Sequence, residues 1–239
     1  MTALTHRIQP ATDALPALSA TMETSAPQEI LRWAVETYGS ALTMATAFGA
    51  EGCALLAMLS EIPGGNAVRI FNLDTGYQFR ETLELRERIR EKYGIEVELV
   101  HSVETVAEME ARFDGPIYGK NPDECCRLRK IVPLRQALVG YDAWISAIRR
   151  DQTPDRAQAG IVERDRKFNL MKISPLANWT KRDVWNYITA NDVPYNPLHD
   201  QGYPSIGCWP CTRAAQQGAD DRSGRWAAFA KSECGLHTR

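Results

Sequence analysis

Residues 42–60 read Leu42-Thr43-Met44-Ala45-Thr46-Ala47-Phe48-Gly49-Ala50-Glu51-Gly52-Cys53-Ala54-Leu55-Leu56-Ala57-Met58-Leu59-Ser60, and this stretch decides the fold. Leu42 to Phe48 predicts a buried strand, Gly49-Ala50-Glu51-Gly52 breaks it, and Cys53 to Ser60 is apolar and of helical length. The pattern repeats downstream. Pro63-Gly64-Gly65-Asn66 interrupts the chain, and Val68 to Leu73 predicts a second strand ended by Asp74-Thr75-Gly76. Leu85, Ile89 and Tyr93 then recur at helical spacing, with Gly94 placed to cap that helix. Ile95 to Val100 predicts a third strand. Short apolar strands alternating with helices imply βαβ units, hence an α/β domain with a mostly parallel sheet.

Working outward, Ser25-Ala26-Pro27-Gln28 has capping-box spacing and opens a helix that Gly39 can close. Residues 1–24 are rich in Ala, Thr and Pro without a period and are expected to form a mobile N-terminal extension. Toward the C-terminus a helix is expected around Cys125 to Ile131, and strands over Ala143 to Ile148 and Phe168 to Ile173. Arg149 to Arg166 carries five arginines with little periodicity and reads as a mobile loop. Thr180 begins a helix running to about Ala190, and beyond Asn191 regular structure thins out. The expected organisation is one α/β domain over 25–220 and a mobile C-terminal tail over 221–239.

Composition narrows the function. The 239 residues are 44% hydrophobic and 24% charged with a net charge of −2, which argues against nucleic acid as a partner. No apolar run reaches the roughly 18 residues a membrane span needs, and the first residues lack the pattern of a signal peptide. A cytoplasmic location with no membrane partner is therefore expected, where cysteines serve metal binding or catalysis more often than disulfides. A homo-oligomer is compatible with the sequence.

Four groups of residues could carry chemistry. The loop at Gly49, Ala50 and Glu51 joins a strand to a helix, which suits a phosphate or is simply a tight βα turn. Leu73, Thr75 and Gly76 end the next strand, and ligands bind at the carboxyl edge of parallel sheets. Cys125-Cys126 and Cys208-Trp209-Pro210-Cys211 supply four thiolates, enough for a zinc ion or a four-cysteine iron–sulfur cluster. Adjacent cysteines suit the larger cluster, with its separate iron corners, better than one ion. Cys234, in Glu233-Cys234-Gly235-Leu236-His237, is either an accessible nucleophile favoured by Lys231 and His237 or an incidental thiol in a tail. Cys53, inside an apolar helix, reads as a small buried side chain. Lys130 beside the cysteine pair, Arg149, Arg150 and Arg156 in the loop, and Arg222 and Arg225 before the tail are solvated surface singly and a polyanion site if gathered.

These residues resemble a known family, the assimilatory sulfonucleotide reductases of the cluster-containing adenylyl-sulfate (APS) reductase type. The resemblance runs from about Leu42 to His237. It is carried by Phe48-Gly49-Ala50-Glu51, Leu73-Asp74-Thr75-Gly76, Cys125-Cys126-Arg127-Leu128-Arg129-Lys130, Arg149-Arg150-Asp151-Gln152, Cys208-Trp209-Pro210-Cys211-Thr212, Gly224-Arg225-Trp226 and Glu233-Cys234-Gly235-Leu236-His237. It implies a Rossmann-like adenine-nucleotide α-hydrolase fold and a [4Fe–4S] cluster on Cys125, Cys126, Cys208 and Cys211. It implies Cys234 as the nucleophile that takes sulfonate from APS, and thioredoxin or a glutaredoxin-like protein as reductant. Lys130 would stand between cluster and sulfate, with Arg222, Arg225 and His237 around the sulfate. The first loop, Leu73 and the arginine loop, with Arg149 and Arg150, would contact the nucleotide. Family members that use 3′-phosphorylated PAPS typically lack the four cysteines, so the resemblance favours APS. Many members have serines where this chain has Thr46, Ala47 and Phe48, which leaves backbone N–H groups as the loop's donors. The rival readings are a PAPS reductase and a zinc-stabilised, non-enzymatic nucleotide-binding module.

Overall fold

The computed structural model describes residues 14–236, apart from 217, 219, 228, 230 and 232. Its centre is a six-stranded sheet formed by β1 (Leu42–Ala45), β2 (Arg69–Asp74), β3 (Val97–His101), β4 (Ala143–Ile145), β5 (Val162–Asp165) and β6 (Leu170–Ile173). The strand order is β3-β2-β1-β4-β6-β5, and every pairing is parallel except that of β5 with β6. The expected α/β architecture is present. Successive strands step outward from β1 through β2 to β3, and the chain then returns to place β4 on the other side of β1. The carboxyl ends of β1 and β4 therefore flank a switch point, where chain segments leave in opposite directions and open a crevice.

The helices follow from their apolar patterning. In α3 (Ala50–Ser60) nine of eleven side chains are buried, and it packs against α2 (Pro27–Tyr38), α4 (Arg80–Tyr93) and α8 (Lys181–Ala190). A helix apolar all round belongs in a core. In α4, by contrast, only Thr82, Leu85 and Ile89 are buried, and Gly94 closes the helix at φ +65°, donating its N–H to Arg90 O at 2.9 Å. The α8 N-terminus carries a reciprocal cap in which the Thr180 hydroxyl accepts from Asp183 N while Thr180 N donates to the Asp183 carboxylate.

Several sequence expectations are corrected. β1 stops at Ala45 rather than Phe48, because the Phe48 N–H turns back to the Thr46 hydroxyl at 3.1 Å and Phe48 takes φ +54°. Helix α3 begins at Ala50, so Glu51 and Gly52 lie in its first turn instead of a loop. Helix α2 is capped at Ala26 by the Glu29 carboxylate at 2.9 Å, one residue on from the expected Ser25–Gln28 box. The helix expected around Cys125 to Ile131 is three pieces: α6 (Pro122–Cys126), a π turn (Arg127–Ile131) and α7 (Val132–Ala137). The arginine-rich segment read as a loop contains two 3₁₀ turns, Arg150–Gln152 and Pro154–Arg156, and then β5. Only Val162 of β5 is fully buried, as befits a polar edge strand without an apolar signal. Residues 15–24, read with the extension, include α1 (Leu15–Thr21), which packs on β5.

The α1 contact is specific. Ser19 is buried, and its Oγ accepts the N–H groups of Ile161 at 2.9 Å and Val162 at 3.3 Å. Ser19→Ala should leave both buried donors unmet and destabilise the fold by about 1–3 kcal/mol in urea unfolding. Unchanged stability would mean that α1 does not dock there in solution.

Candidate active site

A cavity of about 330 Å³, within the range of small-ligand sites, opens at the carboxyl edges of β1, β2 and β4. Its floor is the turn after β1. Thr46 N binds Phe71 O at 2.9 Å and the Asn72 amide donates to Thr46 O at 2.8 Å, so β2 fixes the turn. Gly49 is the N-cap of α3 and has no side chain to satisfy the first-turn N–H groups. Gly49, Ala50 and Glu51 all line the cavity, which gives it the anion-favouring end of a helix. Arg149, buried at the end of β4, lies beside this turn. Its Nε donates to Glu51 at 3.0 Å and its Nη1 pairs with Asp151 at 2.8 Å.

The four paired cysteines converge on a second, smaller cavity, lined by Cys125, Cys126, Cys208 and Cys211 with Arg129 and Lys130. Three local devices bring the two sequence pairs together. The Thr75 hydroxyl lies 3.3 Å from Cys208 Sγ, and Trp209 N donates to Tyr77 O at 2.8 Å. Buried Arg129, on the π turn after Cys125-Cys126, donates to Thr75 O at 2.8 Å and to Glu104 O at 2.5 Å. Trp226 N donates to Cys211 O at 3.0 Å. Gly76, at φ +73°, is required where Arg129 crosses, since a Cβ would stand 2.5 Å from Val106 and 3.1 Å from the guanidinium.

The thiols feel one another. Burial and then the neighbouring Cys126, Cys208 and Cys211 push the Cys125 thiol up to about 12. Burial also raises Cys126 and Cys211. Sulfurs that oppose one another's ionisation in a closed space form a donor set that a cationic metal group would relieve. Among the described residues no three His, Cys, Asp or Glu side chains close on a single ion.

Lys130 lines both cavities and, with Cys208 and Trp226, forms the wall between them. Burial opposes its charge, but the sulfurs of Cys208, Cys234 and Cys126 hold the ammonium protonated well above the usual lysine range. On the large-cavity side it meets Arg222, Arg225 and Cys234. Arg225 is 8% exposed and its Nε has no hydrogen-bond partner among the described residues, while Nη1 reaches Ser205 at 3.3 Å. A buried guanidinium left underbonded favours an anion. Its place depends on Gly207, where a Cβ would come within 2.2 Å of the guanidinium. Trp226 stacks under Arg225 at 4.5 Å and Arg222 at 5.6 Å.

The tail lies along this wall. Lys231 pairs with Asp123, Lys167 Nζ donates to Gly235 O, and Leu236 packs with Phe71, Trp144 and Phe168. Cys234 is thereby half-buried at the cavity edge. Burial pushes its thiol up, yet Lys130, the backbone N–H of Leu236 and Arg225 together bring it below the ordinary thiol range. The arrangement places a thiol whose ionisation is favoured beside a group of cations, which suits a nucleophile facing an anion.

Of the sequence candidates, Gly49, Ala50, Glu51, Leu73, Thr75, Lys130, Arg149, Arg222, Arg225 and Cys234 line the large cavity. Gly76 supports it without lining it. Arg150 does not line the cavity: it donates to Ala159 O at 2.7 Å and pairs with Glu23 after α1. Cys53 is fully buried, its thiol raised to about 12 chiefly by burial, as expected of a packing residue. His237 lies outside the described residues. Sequence reasoning missed Lys181, Trp185 and His199 in the lining, which comes from α8 and the turn after it. A capped helix start and a lone histidine in an irregular stretch carry no signal of their own.

The chain as a whole is similar to known proteins. The sequence pattern of the phosphoadenosine phosphosulfate reductase domain family matches residues 41–214, well over half of the chain. Adenosine 5'-phosphosulfate reductase 1 of Bacillus subtilis (strain 168) is 46% identical, over 87% of this chain and 89% of its own length. A protein of Gloeobacter violaceus named phosphoadenosine 5'-phosphosulfate reductase is also 46% identical, over 90% of each chain. The crystal structure of the phosphoadenylyl-sulfate (PAPS) reductase of Candida auris superposes with a TM-score of 0.74 at 32% identity, covering 86% of this chain and 99% of that one.

The electrostatics of Cys234 can be tested directly. Lys130→Ala removes the largest influence that lowers its thiol, so the pH profile of Cys234 alkylation should move to higher pH. An unmoved profile, read by peptide mass spectrometry, would assign the activation to another group.

Proposed function

We propose, on the premise that this chain belongs to the phosphoadenosine phosphosulfate reductase family, that it is an adenosine 5'-phosphosulfate reductase of sulfate assimilation, releasing sulfite and AMP at the expense of thiols. It is an oxidoreductase acting on a sulfur group. The observation that carries the mechanism is the meeting of Cys234, Lys130, Arg222 and Arg225 at one end of a nucleotide-sized cavity.

In that cavity the adenosine phosphate lies over the N-terminus of α3 and along Leu73 and Thr75, and the sulfate faces Cys234. The Cys234 thiolate attacks the sulfate sulfur. An S–S bond forms, the S–O bond to the phosphate breaks, and AMP leaves with the electron pair. Lys130, Arg222 and Arg225 offset the repulsion between thiolate and sulfate and stabilise the charge gathering on the transferred group. A thiolate of a separate reductant of the thioredoxin or glutaredoxin type then attacks Cys234 Sγ. Sulfite departs with the S–S electron pair, and the reductant's second thiol frees Cys234. The tail must move for that attack, because its contacts hold Cys234 at the cavity edge.

Cys125, Cys126, Cys208 and Cys211 fit a [4Fe–4S] cluster better than one zinc ion. The four side chains line one small cavity, and two of them are adjacent in sequence, which suits the separate iron corners of a cluster better than a single ion. When bound, such a cluster would supply a fixed charge beyond Lys130, and both reducing electrons come from thiols. The APS reading over PAPS rests on these four cysteines.

Anaerobically purified protein should be brown, with about four irons and four sulfides per chain. Cys126→Ser and Cys211→Ser should lose both, whereas colourless protein holding one zinc would exclude the cluster. Incubation with APS and no reductant should add one sulfonate to the Cys234 peptide and release AMP in equal amount. Cys234→Ser should bind APS and form neither adduct nor sulfite; normal turnover by that variant, or an adduct on Cys53, would overturn the mechanism. Faster adduct formation from PAPS than from APS would reverse the substrate assignment.

A further inference from the structure

The residue before the proposed nucleophile is held more tightly than the nucleophile itself. The Glu233 side chain is 3% exposed. Arg156 approaches it from one side, with Nε 2.8 Å from Oε1 and Nη2 donating to Oε2 at 2.9 Å. Arg222 Nη2 stands 3.4 Å from Oε2, and the Thr153 hydroxyl donates to Oε1 at 3.3 Å. Arg156 is itself fixed by a 2.5 Å bond to Gln152 Oε1, an oxygen that also accepts the Arg149 N–H. Arg156, Arg222 and Cys234 line the large cavity, but Glu233 does not. The carboxylate thus sits behind the wall whose cations face the ligand. On the other flank of Cys234, Lys167 holds Gly235 O.

We infer that Glu233 is a positioning residue for the Cys234 step: clasped by Arg156 and Arg222, it fixes the nucleophile against the anion-binding wall and holds both guanidiniums in that wall. The inference rests on the reading of Cys234 as nucleophile. An arginine–carboxylate pair joined by a hydrogen bond from Nη2, with Nε close to the second oxygen, restrains the carboxylate, and a buried one is costly to break from either side. Toward Cys234 itself the charge of Glu233 is unfavourable. A carboxylate one residue from Cys234 opposes its thiolate, so the side chain acts against activation and must contribute position.

That opposition makes the test decisive. Glu233→Gln in the full-length, cluster-containing protein keeps the shape and removes the charge. If only charge mattered, Cys234 would ionise more readily and sulfonation from APS would quicken. Positioning predicts that the single-turnover rate of adduct formation falls by at least about tenfold, the scale of a displaced reacting group. AMP affinity by calorimetry should stay within about twofold of the parent protein, because Glu233 does not line the cavity and Arg149 keeps its side-chain pairs with Glu51 and Asp151. An adduct rate unchanged or raised overturns the inference. Arg156→Gln and the double variant complete a cycle. The double variant should be no slower than the slower single one, and losses that multiply would show that the two side chains act independently and sink the idea. Should Glu233→Gln fail to fold, Glu233→Asp, which keeps the charge and withdraws it by one methylene, should show the same slowed step with AMP affinity kept. A parent protein that forms no adduct on the Cys234 peptide is a different result: it removes the nucleophile assignment itself, whatever the Glu233 variants do.

Discussion

Lys130 stands between two sets of sulfur, and much of the local architecture serves to keep it there. The Cys208, Cys126 and Cys234 sulfurs all draw on its charge, while burial works against it. An ammonium in such a place is tolerable only with anionic partners on each side. That requirement binds three distant stretches of chain into one unit: the helix carrying Cys125 and Cys126, the turn carrying Cys208 and Cys211, and the tail carrying Cys234. The π turn at Arg127–Ile131 is part of this arrangement. It sends buried Arg129 to the loop after β2 and Lys130 to the wall between the cavities.

The sheet supplies the opposite half of the site. Because β4 returns beside β1 on the side away from β2, the crevice opens over the start of α3. A phosphate there gains from a helix N-terminus, while the transferred group gains from side-chain cations. The two ends differ in kind. Arg149, beside the start of α3, is paired with Glu51 and Asp151, so it shapes the turn more than it adds charge. Arg225 at the other end has, among the described residues, the Ser205 hydroxyl 3.3 Å from Nη1 and no hydrogen-bond partner at Nε, so its guanidinium would be open to an anion. Local field, rather than the net charge of −2, selects the anion.

Among the described residues from Lys231 onward, polar contacts and the apolar side chain of Leu236 hold the tail. Lys231, Glu233, Gly235 and Leu236 each find a different partner, on α6, the arginine-rich segment, the β5–β6 turn and the core below. Discrete contacts of this kind can hold one geometry closely and still be released together, which the proposed two-step use of Cys234 would require.

The sequence by itself determined the alternation of strands and helices, since an apolar period and its glycine breaks are local properties, and it determined the two cysteine pairs and Cys234, since few residue types share their chemistry. Gly94 and Thr180 were legible as caps for the same reason. It misjudged Leu42 to Phe48, because the chain leaves the sheet after Ala45 through a hydroxyl-to-backbone bond at Thr46 that apolar Ala47 and Phe48 conceal. It missed α1 and β5, whose pairing rests on Ser19 and on backbone groups. Which arginine serves which purpose was also beyond it. Arg149, Arg150 and Arg156 look alike in a polar run, yet they pair with Glu51, Glu23 and Glu233, residues 98, 127 and 77 positions away. Only the tertiary structure decides such pairings, because the energy of a charge depends on the partner and the burial that the fold brings to it, and neither is written in the neighbouring residues.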